Sequence, residues 1–165
     1  MEIFLKSLAR TPPVRIRGVG IYLTGSPEGV PLALIHNLKN NQVLHEHVVL
    51  LTLLTEEVPR VEESQRIVQT ELGQGFHRAI ARYGFMETRH VPSLIERISV
   101  GGKPVLLQPK AYFLSRETLI PTRRRGMWIW REKLFAALSR NALPATAFFG
   151  LPPNQVVEIG TQIEL

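Results

Sequence analysis

The residues with the most suggestive chemistry lie in a short loop between a predicted strand and a predicted helix. This loop contains Thr24, Gly25, Ser26 and Gly29. Backbone N–H groups at such a junction, together with the helix dipole, can hold a phosphate. The loop matches neither G-x-G-x-x-G nor G-x-x-x-x-G-K-[ST], and Gly18-Val19-Gly20 comes before or within the strand. A nucleotide-binding loop and an ordinary crossover turn are therefore both consistent with the sequence.

Three histidines lie close together in the sequence, and imidazole is a common ligand for transition metals. His45 and His47 are two residues apart, so a strand would direct both rings to one face. His36 would lie on the preceding helix, whereas Glu46 would point to the opposite face of the strand. Because no carboxylate at a suitable spacing completes a ligand set, we expect histidines hydrogen-bonded to their neighbours and no metal site.

The sequence carries no pattern typical of a catalytic centre. Serine nucleophile patterns such as G-x-S-x-G are absent, and no two carboxylates stand out as a general acid and base. We therefore expect a protein without enzymatic activity and without a cofactor.

A run of three arginines, Arg123, Arg124 and Arg125, directly precedes Gly126 and a helical pattern that contains tryptophan. Such a basic cluster beside aromatic residues can contact anionic headgroups or phosphates, although a solvated loop has the same composition. The aromatic residues are spaced as core residues rather than as a stacking platform, and no nucleic-acid-binding motif is present. We expect no nucleic-acid partner.

The composition is that of one ordinary domain. The chain has 165 residues, 44% of them hydrophobic, and no cysteine, which excludes disulfides and thiolate metal sites. Its net charge of +6 favours anionic partners. The longest apolar run, near 48–54, is far shorter than the roughly 20 residues of a membrane-spanning helix. Glu2 and a short amphipathic stretch follow Met1, so we expect a soluble chain without a secretory signal.

The elements that position the loop form a strand-helix-strand unit. Alternation over Val19–Leu23 predicts a half-buried strand, and Gly25–Gly29 predicts a turn. Pro31 is expected at the first position of a helix that ends at Asn40-Asn41. The nearly continuous apolar run from His47 to Thr55 predicts a central strand covered on both faces. Together these segments predict a right-handed parallel crossover.

The rest of the chain adds strands and helices to this unit. Gly73-Gln74-Gly75 predicts a tight antiparallel hairpin, which makes the sheet mixed. The predicted elements are strands at Arg66–Leu72, Phe76–Tyr83, within Lys110–Ile120 and at Val156–Leu165, and helices at Glu2–Arg10, Val91–Ile98 (with Gly101-Gly102 beyond its end) and Met127–Arg140. The predicted fold is a single α/β domain with a mixed, mainly parallel sheet and helices on both faces.

Several long segments resemble a known family. They include "RTPPVRIRGVGIYLTGSPEGVPLALIHNLKNNQVLHEHVVLLTLLTEEVPRV", "RYGFMETRHVPSLIE", "YFLSRETLIPTRRRGMWIWREKLFAALSRNA" and "FFGLPPNQVVEIGTQIEL". In this order they resemble the C-terminal cytoplasmic domain of the Kup (KUP/HAK/KT) potassium uptake permeases. The stretches "HNLKNNQVLHE" and "PPNQVVEIGTQIEL" are long enough to make the resemblance specific, and it extends from about Arg10 to Leu165.

The resemblance implies a role on the cytoplasmic face of the cell membrane. Residues 1–13 would be a linker from a membrane part, and residues 14–165 would be the cytoplasmic domain. The intact protein would carry about a dozen membrane helices and import potassium with protons, so the residues of the potassium path lie outside this chain. The expected partners are the protein's own transmembrane domain and a second copy, in a regulatory or assembly role.

The resemblance also gives an alternative function. A related class of bacterial potassium importers has a tail that resembles the universal-stress-protein fold and binds a cyclic dinucleotide. By analogy, this chain would have a universal-stress-protein-like fold. As a tail or a stand-alone module, it would sense a cyclic or linear adenine nucleotide. The site would be formed by Thr24–Ser26, the start of the following helix and an arginine from Arg123–Arg125.

Overall fold

The structure of this chain is a computed structural model that describes residues 1–120 and 145–164. Its helices are α1 (Glu2–Arg10), α2 (Leu32–Asn41), α3 (Val91–Ile95) and α4 (Ala145–Phe148). Its strands are β1 (Val14–Thr24), β2 (Val43–Glu56), β3 (Ile67–Gly73), β4 (Phe76–Gly84), β5 (Ser99–Val100), β6 (Lys103–Pro104), β7 (Lys110–Ile120) and β8 (Val156–Glu164).

A six-stranded sheet with the order β3-β4-β2-β1-β7-β8 forms the centre of the described structure. Strand β1 pairs in parallel with both β2 and β7, β2 with β4, and β7 with β8. Strand β3 is antiparallel to β4, and β5 and β6 form a separate small hairpin. The predicted mixed, mainly parallel sheet is therefore confirmed.

Two apolar clusters cover the two faces of the sheet. Neighbouring side chains on a strand alternate between the faces, so Val49 and Leu51 belong to one cluster, and Val48 and Leu50 to the other. Helix α3 packs on the first face, whereas α1 and α2 pack on the second. The prediction of helices on both faces is confirmed, and the sheet is the inner layer of three.

The expectation that β1 is half-buried is wrong. Val19 and Ile21 are fully buried on one face of the sheet, and Tyr22 is fully buried on the other. The apparent alternation arose from Gly20, which is itself buried. A Cβ atom at Gly20 would lie 2.8 Å from Nδ1 of His45. Position 20 is therefore a glycine because there is no space for a side chain beside His45, and not because the position faces solvent.

The strand-helix-strand unit and the hairpin follow the predictions closely. Parallel pairing of β1 with β2 confirms the crossover through α2, although Pro31 precedes the helix rather than occupying its first position. Gly73, Gln74 and Gly75 all have positive φ, as the tight β3–β4 turn requires. Strands β7 and β8 coincide with the remaining predicted strands over the described residues.

The helix predicted over Val91–Ile98 is wrong at its carboxyl end. The α-helical pattern stops at Ile95, and a tighter turn follows in which the Ile98 amide donates to the Ile95 carbonyl. Gly101 and Gly102, with φ of +57° and +73°, lie beyond the helix as predicted and form the turn between β5 and β6. The helix predicted at Met127–Arg140 lies outside the described residues.

Candidate functional site

The loop singled out in the sequence lies at the carboxyl ends of the central parallel strands. Thr24 is the last residue of β1 and pairs with Thr52 of β2. A cavity of about 510 Å³ opens beside it, and Thr24 and Gly25 line this carboxyl-end cavity, whereas Ser26 and Gly29 do not. The other lining residues are Leu23, Pro31, Leu32, Leu51, Leu53, Leu114, Ser115 and Phe149.

The topology of the sheet places this cavity where ligands commonly bind in α/β proteins. From β1 the chain crosses through α2 to β2 on one side, while β7, on the other side, follows much later in the chain. Crevices at such switch points, outside the carboxyl ends of parallel strands, are typical ligand sites. The cavity takes its walls from β1, β2 and β7, so its position is that of a binding crevice.

The loop uses several of its own polar groups internally. The Ser26 amide donates to Thr24 Oγ1 at 3.3 Å, and the Glu28 amide donates to Ser26 Oγ at 3.2 Å. Thr52 Oγ1 donates to the Ser26 carbonyl oxygen at 3.3 Å, which ties the loop to β2. Two of the backbone N–H groups that a phosphate would need are therefore already bonded within the loop in this conformation.

The chemistry of the cavity walls is apolar with two hydroxyl groups. Leucine, proline and phenylalanine side chains dominate, and Thr24 and Ser115 supply the hydroxyls. None of the described residues that line the cavity is charged. Such walls suit a neutral, mainly apolar group with one or two hydrogen-bonding atoms, because a buried unpaired charge is unfavourable. Arg123, Arg124 and Arg125, the expected anion contacts, lie outside the described residues.

The histidines flagged in the sequence have different surroundings. The ring of His45 packs edge-on against Phe113, with centroids 5.8 Å apart, whereas the ring of His47 lies 5.8 Å from that of His77. The prediction that both rings hydrogen-bond to their neighbours is wrong at Nδ1, because this atom is buried without a hydrogen-bond partner in both His45 and His47. Within residues 1–120 and 145–164, no three His, Cys, Asp or Glu side chains form a metal-binding group.

His77 was not identified from the sequence, yet it is the most buried of these histidines, with 6% of the residue exposed. Burial lowers its pKa; the nearby Glu71 carboxylate opposes this shift, and His47 adds to it. No local pattern marks this pair, because His47 and His77 lie on different strands and meet only through the pairing of β2 with β4.

A group of charged side chains outside the cavity was also not evident from the sequence. It consists of Glu63, Arg66 and Glu87 and is called the charged clasp below. An Arg66 guanidinium nitrogen lies 2.6 Å from a Glu87 carboxylate oxygen, and Arg66 Nε lies 2.9 Å from Glu63. Glu87 also accepts hydrogen bonds from the amides of Gly84 and Val61. The Arg66 guanidinium and the Gly84 amide lower the pKa of Glu87 to about 2. The clasp joins the segment after β2 to the loop after β4.

No helix in the described part of the chain is long and apolar enough to cross a membrane. The fold thus provides an apolar cavity and a charged clasp.

The chain is similar to known potassium transport proteins. The family described as K+ potassium transporter C-terminal domain matches residues 17–165. The chain is 53% identical, over 165 residues, to the probable potassium transport system protein Kup of Myxococcus xanthus, covering all of this chain and 25% of that protein. It is 50% identical, over 163 residues, to the probable potassium transport system protein Kup 1 of Geobacter sulfurreducens, covering 98% of this chain and 26% of that protein.

A third relative, the probable potassium transport system protein Kup of Zymomonas mobilis, is 48% identical over 165 residues, all of this chain and 25% of its own length. The chain therefore spans about a quarter of the length of the curated relatives that it matches. No solved structure matches it. Because the family match covers nearly the whole chain, and the relatives agree with the resemblance of the sequence motifs, this chain belongs to the family of potassium transporter C-terminal domains.

Proposed function

We propose that this chain is a regulatory and assembly domain on the cytoplasmic face of a potassium uptake permease. The intact protein would import potassium together with protons, with this domain outside the transport path. The observation that carries the proposal is the family match over residues 17–165, together with relatives that are about four times longer and are described as potassium transport proteins. Residues 1–13 would link the domain to the membrane part.

The architecture is suited to assembly and conformational coupling. The described residues form two apolar clusters around a mainly parallel sheet. A domain of this kind acts on a transporter by having two states with different contacts to a ligand or to the membrane part. We therefore assign it a binding role, and its membership of a transporter family supports a role without enzymatic activity.

The test is potassium uptake by the intact protein in bacteria that lack their own potassium uptake systems. We expect the full-length protein to restore growth at low potassium and acidification of the medium to stimulate uptake. Removal of residues 14–165 should change the rate of uptake or the amount of transporter in the membrane. Failure of the full-length protein to carry potassium would reject the transport function. Equal rate and abundance after truncation would reject the domain's role.

The assembly role includes a homodimer. Light scattering of the purified full-length protein in detergent should give the mass of two chains. Monomers at high protein concentration, both for the full-length protein and for the domain, would reject the homodimer and leave the transport function standing.

A second function, nucleotide sensing, is favoured by one observation: the carboxyl-end cavity of about 510 Å³ lies against Thr24 and Gly25. We propose that an adenine ring occupies its apolar walls and that the phosphates lie outside it. A ligand at a hundredfold its Kd stabilises the folded state by about 2.7 kcal/mol, so the melting temperature of the domain should rise with a cyclic or linear adenine nucleotide.

The variant Ser115→Trp would fill the cavity and should abolish this rise. Thr70→Trp, at an exposed position on β3, is its control. If no adenine nucleotide raises the melting temperature of the unmodified chain, the sensing function is rejected.

A further inference from the structure

A second concave surface lies at the opposite end of the sheet, between α1 and α2. This groove has a volume of about 700 Å³ and includes Phe4, Leu8, Val14, Ile35, Leu38 and Lys39. It lies where β1 and β2 begin, because Val14 and Val43, the first residues of these strands, both line it. The amino-end groove is thus separated from the carboxyl-end cavity by the length of the strands.

The amino-end groove exposes large apolar side chains to solvent. Val14 is 66% exposed and Ile35 is 42% exposed, although each lies beside other apolar residues of the groove. Lys39 is the one charged side chain among the described residues that line it. A contiguous apolar surface with a polar rim is typical of a site that another segment of protein covers.

The walls of the groove are held in place by the domain itself. Helix α1 buries Leu5 and Leu8, and the Leu5 carbonyl accepts a hydrogen bond of 3.3 Å from the Gln74 side chain. In α2, the buried Asn37 side chain donates to Tyr22 Oη at 3.0 Å and to the Val43 carbonyl at 2.9 Å. Because both walls are fixed through the core, the groove is preformed and a partner would bind without ordering it first.

The length of the relatives indicates what covers the groove. Three quarters of each relative lies outside the region that this chain matches, and the family is described as a C-terminal domain. The remaining part of the relatives therefore precedes the domain and connects to it through α1. Since α1 forms one wall of the groove, the preceding chain approaches the domain at this surface.

We propose that the amino-end groove holds the apolar face of a helix from the part of the intact transporter that precedes this domain. The inference rests on the proposed function. Two helices flanking an apolar floor accept a third helix through anchor side chains at i, i+3 or i+4 and i+7. A carboxylate on that helix would pair with Lys39 at the rim. The domain would thus be docked on the transporter through this groove as well as connected to it in sequence through residues 1–13.

The test is site-specific photo-crosslinking in the full-length protein in membranes. A benzophenone amino acid replaces Ile35 in the groove or, as a matched control, Val68, which is 47% exposed on β3. The Ile35 probe should crosslink to a peptide from the preceding part of the same polypeptide, and the Val68 probe should not. Coexpression of two differently tagged copies distinguishes crosslinks within one chain from those between two.

Crosslinks from Ile35 to a second copy would overturn the proposal in favour of a dimer interface, and the absence of any protein crosslink would overturn it as well. A second measurement moves the probe to Val14 and adds Ile35→Asp, which should lower the crosslink yield roughly tenfold by removing an apolar anchor. Val68→Asp should leave the yield unchanged. If the protein crosslinks as expected but carries no potassium, the proposed function fails and the docking remains.

Discussion

The two ends of the sheet differ in how their surfaces are made. At the carboxyl end, the loop after β1 bonds its own amides through Thr24 and Ser26, and a cavity opens beside it. At the amino end, two helices stand apart over an apolar floor, held by buried groups such as Asn37. The first surface is an apolar cavity of about 510 Å³ beside a loop, and the second is a groove of about 700 Å³ between two helices. The two surfaces are separate, so the proposed ligand binding and the proposed docking would take place at opposite ends of the domain.

The largest expected effect comes from a pair of glycines, Gly18 in the middle of β1 and Gly25 directly after its last residue. Gly18 has a φ of +104°, and a Cβ atom there would lie 2.4 Å from the Pro109 carbonyl oxygen. Gly18→Ala should therefore lower the free energy of unfolding by about 3 kcal/mol or more, from the strained φ and the clash with backbone. At Gly25 a Cβ atom would meet nothing within 4 Å.

Gly25→Ala should thus change the free energy of unfolding by less than about 0.5 kcal/mol. Urea denaturation of both variants measures the difference. Similar losses in the two variants would contradict the view that the backbone is packed tightly in the middle of β1 and loosely just beyond its end.

The next effect concerns the buried amide that holds α2 beside the groove. Asn37→Ala leaves Tyr22 Oη and the Val43 carbonyl without their shared donor, so the free energy of unfolding should fall by about 2 kcal/mol. Asn40→Ala, at an exposed position on the same helix, is the control and should change it little. Equal midpoints of urea unfolding for the two variants would show that Asn37 does not fix this wall of the groove.

A smaller effect is expected at the carboxyl end. Thr24→Val removes a hydroxyl that bonds the Ser26 amide in an exposed loop, which should lower the free energy of unfolding by about 0.5 to 1 kcal/mol. The same substitution frees the Ser26 amide. If a nucleotide phosphate binds this loop, Thr24→Val should change its affinity; an unchanged thermal shift would place the phosphate elsewhere.

The smallest effect is a dependence on pH that we expect from the clasp after β4. The pKa of Glu87 is about 2 in the folded state, below its ordinary value of 4.5. A depressed carboxyl pKa contributes stability that is fully present above the ordinary value and is lost as the pH falls toward 2. The urea midpoint should therefore decrease between pH 4.5 and 2, and less so in Glu87→Gln. An identical decrease in both proteins would assign the effect to other carboxylates.

Local sequence patterns predicted the order and type of most described elements, because turns and strands depend on neighbouring residues. Gly73-Gln74-Gly75 marked the hairpin, and the apolar run of β2 marked a strand covered on both faces. The alternation within β1 wrongly indicates a half-buried strand. Gly20 is a glycine because the ring of His45 leaves no room for a side chain there, and not because the position faces solvent. The predicted end of α3 at Ile98 is also too late. An apolar residue at position 98 fits the buried face of a helix, but it fits equally well the position just before the β5–β6 hairpin.

The candidate sites were less predictable than the fold. Thr24 and Gly25 were identified and do line a cavity, but the loop chemistry gave no sign of the apolar walls from β2 and β7. The amino-end groove carries no motif at all, because it is assembled from ordinary apolar residues of α1, α2 and the first strands. The Arg66–Glu87 clasp joins residues far apart in sequence, and charged residues are too common to reveal such a pair.

The position of β1 between β2 and β7 also affects how the chain must fold. The β3–β4 hairpin closes over a few residues and can form within microseconds. By contrast, Val19 pairs with Lys110, so this side of β1 is completed only after a loop of roughly 90 residues has closed. During synthesis, the apolar strands β1 and β2 emerge from the ribosome long before β7 can cover the open edge of β1. The newly made domain therefore passes through a stage in which the edge of β1 exposes unpaired backbone N–H and C=O groups. Chaperone binding or misassembly would be concentrated at this edge.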